Sequence, residues 1–149
     1  MRYANYGYPV RGANVKSEKL ALLRARGGAY STLNEQGRAA RGSKVLVLGV
    51  AYKKDIDDIR ESPALDVIRL LQRRGAVVSY HDPHVRKLKD EGIDLASLPL
   101  TSETITTADC VVVVTDHTDI DYALVERCAR VIVDTRNALE KARRKGRTR

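Results

Sequence analysis

The sequence has few of the features that assign a chain to several common classes of protein. Its two cysteines, Cys110 and Cys128, stand outside any C-x-x-C spacing, which argues against a disulfide framework or a cysteine metal site. No apolar run approaches the roughly 20 residues that a membrane-spanning helix needs. The first residues lack the apolar segment of a signal peptide. We therefore expect a cytoplasmic protein without a membrane partner.

The net charge of +8 suggests nucleic acid as a partner, but the position of the charges argues against it. Residues 1–43 contain eight basic and two acidic residues, and residues 140–149 contain six basic and one acidic residue. The middle of the chain is mildly acidic. The sequence also lacks aromatic residues interleaved with basic ones, the pattern that stacks bases. Solvated basic flanks are the simpler interpretation, and a basic-tailed nucleic-acid binder stays the weaker alternative.

The strongest pattern in the chain is a buried strand followed by a charged loop. Residues 45–48 are apolar at every position, as is typical of a parallel strand covered on both faces. Gly49 is the only glycine in the loop that follows, so the loop is no dinucleotide-binding fingerprint. Ser62 and Pro63 suit the cap and first position of a helix, and Gly75 suits its end.

The rest of the chain continues this alternation. Further strands are predicted at residues 77–80, 110–114 and 131–133, and helices at 102–108 and 121–129, with one or two helical turns at 85–91. Strands alternating with helices predict a single α/β domain with a Rossmann-like parallel sheet flanked by helices. Residues 1–32 are expected to be an irregular linker with a short helix at 17–26, residues 33–139 the domain, and residues 140–149 a basic tail.

Polar residues follow the carboxyl end of each predicted strand, and parallel order brings these ends to one edge, where open α/β sheets bind ligands. The clusters are Tyr52 with Lys53, Asp82, residues 115–117 and Arg136. The Lys53 ammonium suits a phosphate or sugar oxygen, although a solvated loop lysine is the simpler interpretation. The planar guanidinium of Arg136 suits diphosphate oxygens, and an ion pair with Asp134 or Asp58 is the alternative.

Several other residues have a structural interpretation that we prefer. Ser62 is expected to cap a helix rather than to react. Asp82 is either a turn former beside Pro83 or a ribose-binding acid, and we favour the turn. His117 is interpreted as loop structure rather than as an acid–base group. His81 and His84 have no metal-ligand companions in the sequence, so no metal site is predicted, and both cysteines are expected in the core.

Four motifs in order make the chain similar to a known family, the UDP-glucose/GDP-mannose dehydrogenases. They are Gly49-Val50-Ala51-Tyr52-Lys53, Asp58-Ile59-Arg60-Glu61-Ser62-Pro63-Ala64, Tyr80-His81-Asp82-Pro83 and Val133-Asp134-Thr135-Arg136-Asn137-Ala138. The resemblance covers roughly residues 33–139 and is to the C-terminal, UDP-sugar-binding domain. Its spacing is similar to the bacterial branch that acts on UDP-N-acetylhexosamines, such as UDP-N-acetylglucosamine 6-dehydrogenases.

The resemblance implies a UDP-sugar ligand and NAD as cofactor. It places Lys53 and Arg136 on the UDP-sugar, and Arg60 on the NAD pyrophosphate; the alternative for Arg60 is an ion pair with Asp57 or Asp58. Tyr52 either packs against the uracil ring or closes the core. The family oxidises C6 of the sugar to a uronate with two hydride transfers to NAD, through a cysteine thiol.

The chain departs from the family in two respects. It has neither the G-x-G-x-x-G half nor the catalytic cysteine in a Gly-rich loop, so we expect a truncated chain that binds UDP-sugar weakly or not at all and oxidises nothing alone. The implied partners are a separate N-terminal dehydrogenase half or further copies of the chain. A non-enzymatic remnant and a domain that complements such a half are the alternatives.

Overall fold

A parallel β-sheet forms the centre of the fold. The computed structural model describes residues 2–4 and 41–147. Four strands, β2 (Lys44–Leu48), β3 (Val77–His81), β6 (Cys110–Val113) and β7 (Val131–Asp134), lie in the order β7-β6-β2-β3, and β1 (Arg2–Ala4) pairs in parallel with β7 at one edge. The predicted α/β class and parallel sheet are therefore confirmed.

Helices cover both faces of this sheet. They are α1 (Pro63–Arg73), α2 (Ser102–Thr107), α3 (Tyr122–Cys128) and α4 (Ala138–Arg147). Alternate residues of β2 enter different cores, because successive strand side chains point to opposite faces. Val45 and Val47 pack with α1, whereas Leu46 and Leu48 pack with the other three helices. None of the helices in the described ranges is long and apolar enough to cross a membrane.

The start and end of α1 follow the sequence signals. The Ser62 hydroxyl accepts a hydrogen bond from the Ala64 N–H (3.2 Å) and donates one to the Val50 carbonyl (2.7 Å), so it caps the helix and ties it to the loop after β2. Arg74 is the C-cap, and Gly75 follows with φ of +83°, a value that favours glycine. The capping role expected for Ser62 is confirmed.

The helical turns predicted at residues 85–91 are wrong. The segment forms an antiparallel hairpin of β4 (Lys87–Asp90) and β5 (Ile93–Ala96), in which Asp90 pairs with Ile93. Leu88 is fully buried between exposed lysines, which is the two-residue period of a strand. Gly92, with φ of +77°, occupies the second position of the two-residue turn.

Both ends of the chain also differ from expectation. Arg2–Ala4 is a strand, where the sequence indicated irregular structure. The expected basic tail is helical through Arg147, because α4 buries Ala138 and Leu139 at its start and pairs Arg143 with Glu126 of α3. The helix predicted at residues 17–26 lies outside the described residues.

Candidate functional site

The carboxyl ends of four parallel strands meet at one edge of the sheet. Four connecting segments leave this edge: residues 49–62, 82–86, 114–121 and 135–137. They contain the residues singled out from the sequence, Tyr52, Lys53, Arg60 and Arg136. The topology therefore brings the loop segments that contain these four residues to the same edge of the sheet.

Asp82 connects the loops at this edge of the sheet by hydrogen bonds. Its buried carboxylate accepts hydrogen bonds from the N–H groups of Val50 (2.7 Å) and Ala51 (3.2 Å) in the loop after β2. It also accepts the N–H groups of His84 (2.8 Å) and Val85 (3.2 Å) in its own turn. Burial favours a raised pKa, but hydrogen bonds from His117, Val50 and His84 outweigh it and leave the Asp82 pKa below its usual value. The turn-forming role is confirmed, and the carboxylate also fixes the neighbouring loop.

His117 is fully buried beside Asp82, and both of its ring nitrogens have partners. Nδ1 accepts the Asp55 N–H (2.8 Å), so Nε2 carries the proton and donates it to Asp82 Oδ2 (2.8 Å). The hydrogen bonds thus assign the neutral Nε2-protonated form. This agrees with the interpretation of His117 as loop structure, and it links the loops after β2, β3 and β6.

Tyr52 and Lys53 lie on the loop that Asp82 holds. The Tyr52 N–H donates to the Asp58 carbonyl (2.7 Å), and its half-buried ring lies 5.5 Å from the Lys53 ammonium. Lys53 is exposed, and its ammonium has no carboxylate partner in the part of the chain that the structure describes. A cation with a fixed backbone and no internal anion is suited to an external phosphate.

Arg136 is held in place at the end of β7. Its Nε–H donates to the Val114 carbonyl (2.9 Å) and its backbone N–H to Asp134 (3.1 Å). The buried Asp134 carboxylate also accepts the N–H groups of Ala138 and Leu139, each at 3.0 Å, which caps the start of α4. Within residues 41–147 the two terminal guanidinium nitrogens of Arg136 make no hydrogen bond. These nitrogens can therefore bind an anion without breaking an internal ion pair.

Arg60 is already paired in the structure. Its Nε–H and Nη2–H groups donate to the two Asp58 oxygens at 3.0 and 2.9 Å, which lowers the Asp58 pKa to about 2. This is one of the alternatives that the sequence left open. The Arg60 side chain is 87% exposed, and exposed pairs contribute little to stability. Binding of an anionic group by Arg60 therefore has a small cost.

A pocket of about 640 Å³ lies beside this edge, between the loop after β6 and helix α4. It combines basic and apolar side chains, among them Lys54, Lys141, Lys145, Ile120 and Tyr122. Lys54, expected to face solvent, is exposed and lines this pocket, whereas Lys53 and Arg136 do not. That Lys53 and Arg136 together bind one diphosphate stays a prediction.

Cys110 is not placed as a reactive thiol. Cys110 is fully buried in β6, where burial raises its pKa to about 12, and Cys128 is partly buried in α3. A nucleophilic cysteine needs a lowered pKa and access. The expectation that both are core residues fits these positions.

The structure also brings together one cluster of side chains at this edge that the sequence did not predict. Asp55, His84 and His117 place potential ligand atoms within 4.8 Å of one another. His84 and His117 are far apart in the chain, and only the turn at Asp82 brings them together. The sole signal in the sequence is that both histidines follow the ends of strands.

Comparison with known proteins agrees with this architecture. The sequence model of the UDP-glucose/GDP-mannose dehydrogenase family, UDP binding domain, matches residues 46–141. A UDP-N-acetyl-D-mannosamine dehydrogenase of Methanococcus maripaludis is 36% identical over 120 residues, 74% of this chain and 26% of the relative. A UDP-glucose 6-dehydrogenase of Rhizobium meliloti is 37% identical over 114 residues, 70% of this chain and 25% of the relative.

A solved structure shows the same fold. The NDP-N-acetyl-D-galactosaminuronic acid dehydrogenase of Methanosarcina mazei superposes with a TM-score of 0.67 and 28% identity, covering 96% of this chain and 32% of that one. The chain thus spans about a quarter of the length of the curated relatives it matches. It belongs to the UDP-glucose/GDP-mannose dehydrogenase family, and the part of the family that it matches is the UDP binding domain.

Proposed function

We propose that the carboxyl edge of this sheet binds the UDP group of a UDP-sugar. Lys53 provides a point charge and Arg136 a planar fork for the two phosphates, and Tyr52 provides an aromatic surface for the uracil. The observation that carries the proposal is how the Lys53 and Arg136 side chains are positioned and paired. Both lie on segments that leave this edge: the Arg136 guanidinium is held by the Val114 carbonyl and the Lys53 ammonium lies 5.5 Å from the Tyr52 ring, and neither side chain has a carboxylate partner among the described residues.

The proposed context is an NAD-dependent 6-dehydrogenase that converts a UDP-hexose or UDP-N-acetylhexosamine to the uronate. The names of the similar proteins, which specify UDP-glucose and UDP-N-acetyl-D-mannosamine, support this class of substrate. Arg60 exchanges Asp58 for the pyrophosphate of NAD, next to the start of α1 where free N–H groups favour anions.

Oxidation requires a thiol and an NAD-binding domain in addition to the residues described. Acid formation through a covalent intermediate needs an activated nucleophile, and buried Cys110 cannot supply it. We therefore propose that the chain works with a dehydrogenase half carrying NAD and the thiol, or within an oligomer, and that alone it binds UDP weakly. A non-enzymatic remnant is the alternative, and it predicts no UDP binding.

Calorimetric titration of UDP tests the proposal. The Lys53→Ala and Arg136→Ala variants should each weaken UDP binding about tenfold or more, since a hydrogen bond to a charged group contributes about 1.5–3 kcal/mol. Matched controls are Lys87→Ala on the hairpin and Arg127→Ala on α3, both exposed and outside the four segments that leave this edge. Equal binding by all four variants, or none by the unmodified chain, would overturn the proposal.

A nucleic-acid binder predicts a different result. Its affinity falls steeply with added salt and survives loss of Lys53 and Arg136. The same variants, titrated with a single-stranded oligonucleotide at two salt concentrations, separate the two functions.

A further inference from the structure

Two of the three histidines of the chain lie against each other at the sheet edge. The ring centroids of His84 and His117 are 4.7 Å apart, and the Asp55 carboxylate adjoins both rings. Asp55 Oδ1 is 3.9 Å from His84 Nε2 and 3.8 Å from His117 Nδ1. A second carboxylate oxygen, Asp119 Oδ2, is also 3.9 Å from His84 Nε2. His84 Nε2 therefore lies between two carboxylates, and the potential ligand atoms of His84, His117 and Asp55 all lie within 4.8 Å of one another.

His84 Nε2 is the unusual atom of this cluster. It is buried from solvent and has no hydrogen-bond partner among the described residues. A buried polar atom without a partner is costly, so its retention between two carboxylates needs a reason. A group that binds the Nε2 lone pair must be electron-poor, because the carboxylate oxygens on either side offer lone pairs of their own.

His117 has the arrangement of a metal-binding histidine. Its Nε2–H donates to the buried Asp82 carboxylate at 2.8 Å, which fixes the ring and leaves the Nδ1 lone pair on the side of Asp55. Metal-ligating histidines commonly donate their second ring N–H to a carboxylate in this way. The Nδ1 lone pair accepts the Asp55 N–H in this structure, and that contact is the one an ion must replace.

The geometry points to a binding site for a divalent transition-metal ion of the zinc class, formed by His84, His117 and Asp55. Imidazole nitrogen with carboxylate oxygen suits Zn²⁺ and similar ions, whereas Ca²⁺ and Mg²⁺ prefer ligand sets made of oxygen alone. Bonds of about 2.0–2.1 Å in a tetrahedron place ligand atoms about 3.3 Å apart. The separations of 3.8 and 3.9 Å from Asp55 Oδ1 to the two histidines need a contraction of about half an ångström, and the three ligand atoms, which lie within 4.8 Å of one another, need at most about 1.5 Å.

The site has a path for entry. The Asp119 and Asp55 side chains are 70% and 41% exposed, whereas His117 is fully buried. An ion can therefore meet the carboxylates first and reach the imidazoles by displacing the Asp55 amide. This site shares no residue with the proposed phosphate contacts, so it stands or falls independently of them.

Zinc titration of the tag-free chain is the direct test. The Cys128→Ser background removes the partly buried thiol as a competing ligand. We expect one Zn²⁺ per chain by calorimetry, and a Co²⁺ absorption spectrum typical of tetrahedral nitrogen and oxygen ligands. His84→Gln should weaken Zn²⁺ binding at least tenfold. The matched control is His81→Gln, since His81 donates through Nδ1 to the Leu98 carbonyl outside the cluster and should bind as before.

A second variant keeps the test decisive if His84→Gln fails to fold. Asp55→Asn keeps an oxygen acceptor for the Thr118 N–H and should fold normally, yet it should weaken Zn²⁺ binding at least tenfold. Unchanged Zn²⁺ binding in either variant that folds would overturn the site. Absence of saturable Zn²⁺ binding by the unmodified chain would do so as well.

Discussion

Replacement of Asp82 by asparagine is the sharpest test of how the site edge is held. All five groups that contact the carboxylate are donors: four backbone N–H groups and His117 Nε2–H. An amide offers one oxygen and one NH₂ group, so in either orientation the NH₂ group faces donors. At least two donors lose their acceptor in a buried place, and each costs about 1–3 kcal/mol.

We therefore expect Asp82→Asn to lower the free energy of unfolding by about 2–5 kcal/mol at pH 7. This is a large part of the roughly 5–15 kcal/mol typical of a domain. Urea denaturation measures it as a lower midpoint at an unchanged slope. The matched control is Asp57→Asn, an exposed residue of the same loop, which should leave the midpoint unchanged. An Asp82→Asn midpoint equal to that of the control would refute the reasoning.

The loss of folding stability in Asp82→Asn should also depend on pH. The folded-state pKa of Asp82 lies below its usual 3.8. The unfolded chain therefore binds the proton more readily, and stability rises with pH between the two pKa values. The contribution of the carboxylate is complete above the unfolded pKa and is lost as pH falls through the folded one. The difference between wild type and Asp82→Asn should narrow below about pH 4.

Three further predictions follow from single contacts. Gly49→Ala should destabilise the fold by more than about 2 kcal/mol in thermal or urea unfolding, since the φ of Gly49 is +80° and an added Cβ would lie 2.1 Å from the Thr115 carbonyl oxygen. The control Gly92→Ala, which has open space around the added Cβ, should destabilise the fold less. Arg60→Ala should raise the Asp58 pKa from about 2 towards 3.8 in a ¹³C carboxyl titration, with no change in the urea midpoint; an unchanged pKa would contradict the pair. Cys110 should resist a thiol reagent in the Cys128→Ser background until the chain unfolds, because burial raises its pKa to about 12; rapid labelling of the native protein would show that β6 is accessible.

The sheet and its main helices were readable from local pattern. β2 and β6 are apolar runs buried on both faces, and Ser62, Pro63 and Gly75 mark the ends of α1 by capping chemistry. The sequence pattern does not predict the β4–β5 hairpin, because residues 86–91 are all charged except Leu88, so one buried apolar residue is too few to show the two-residue period of a strand before the turn at Gly92. The basic composition of residues 140–149 predicts a tail, whereas α4 forms because its first residues are anchored by Asp134 and by burial of Leu139.

The site was readable only in part. The motifs pointed to Lys53 and Arg136, but the atom that holds the Arg136 guanidinium is the main-chain carbonyl of Val114, which no sequence motif specifies. The hydrogen bond between Asp82 and His117 joins residues 35 positions apart. The sequence predicts that both follow strands, yet the contact depends on the relative position of two loops, which only tertiary packing determines.

UDP titration followed by two-dimensional amide NMR tests the central claim most directly. If the sheet edge binds the diphosphate, the largest shifts should fall on Tyr52 and Lys53 and on residues 135–137, and they should be larger with UDP than with uridine. Shifts confined to the pocket between the loop after β6 and helix α4, or shifts equal for UDP and uridine, would contradict the account.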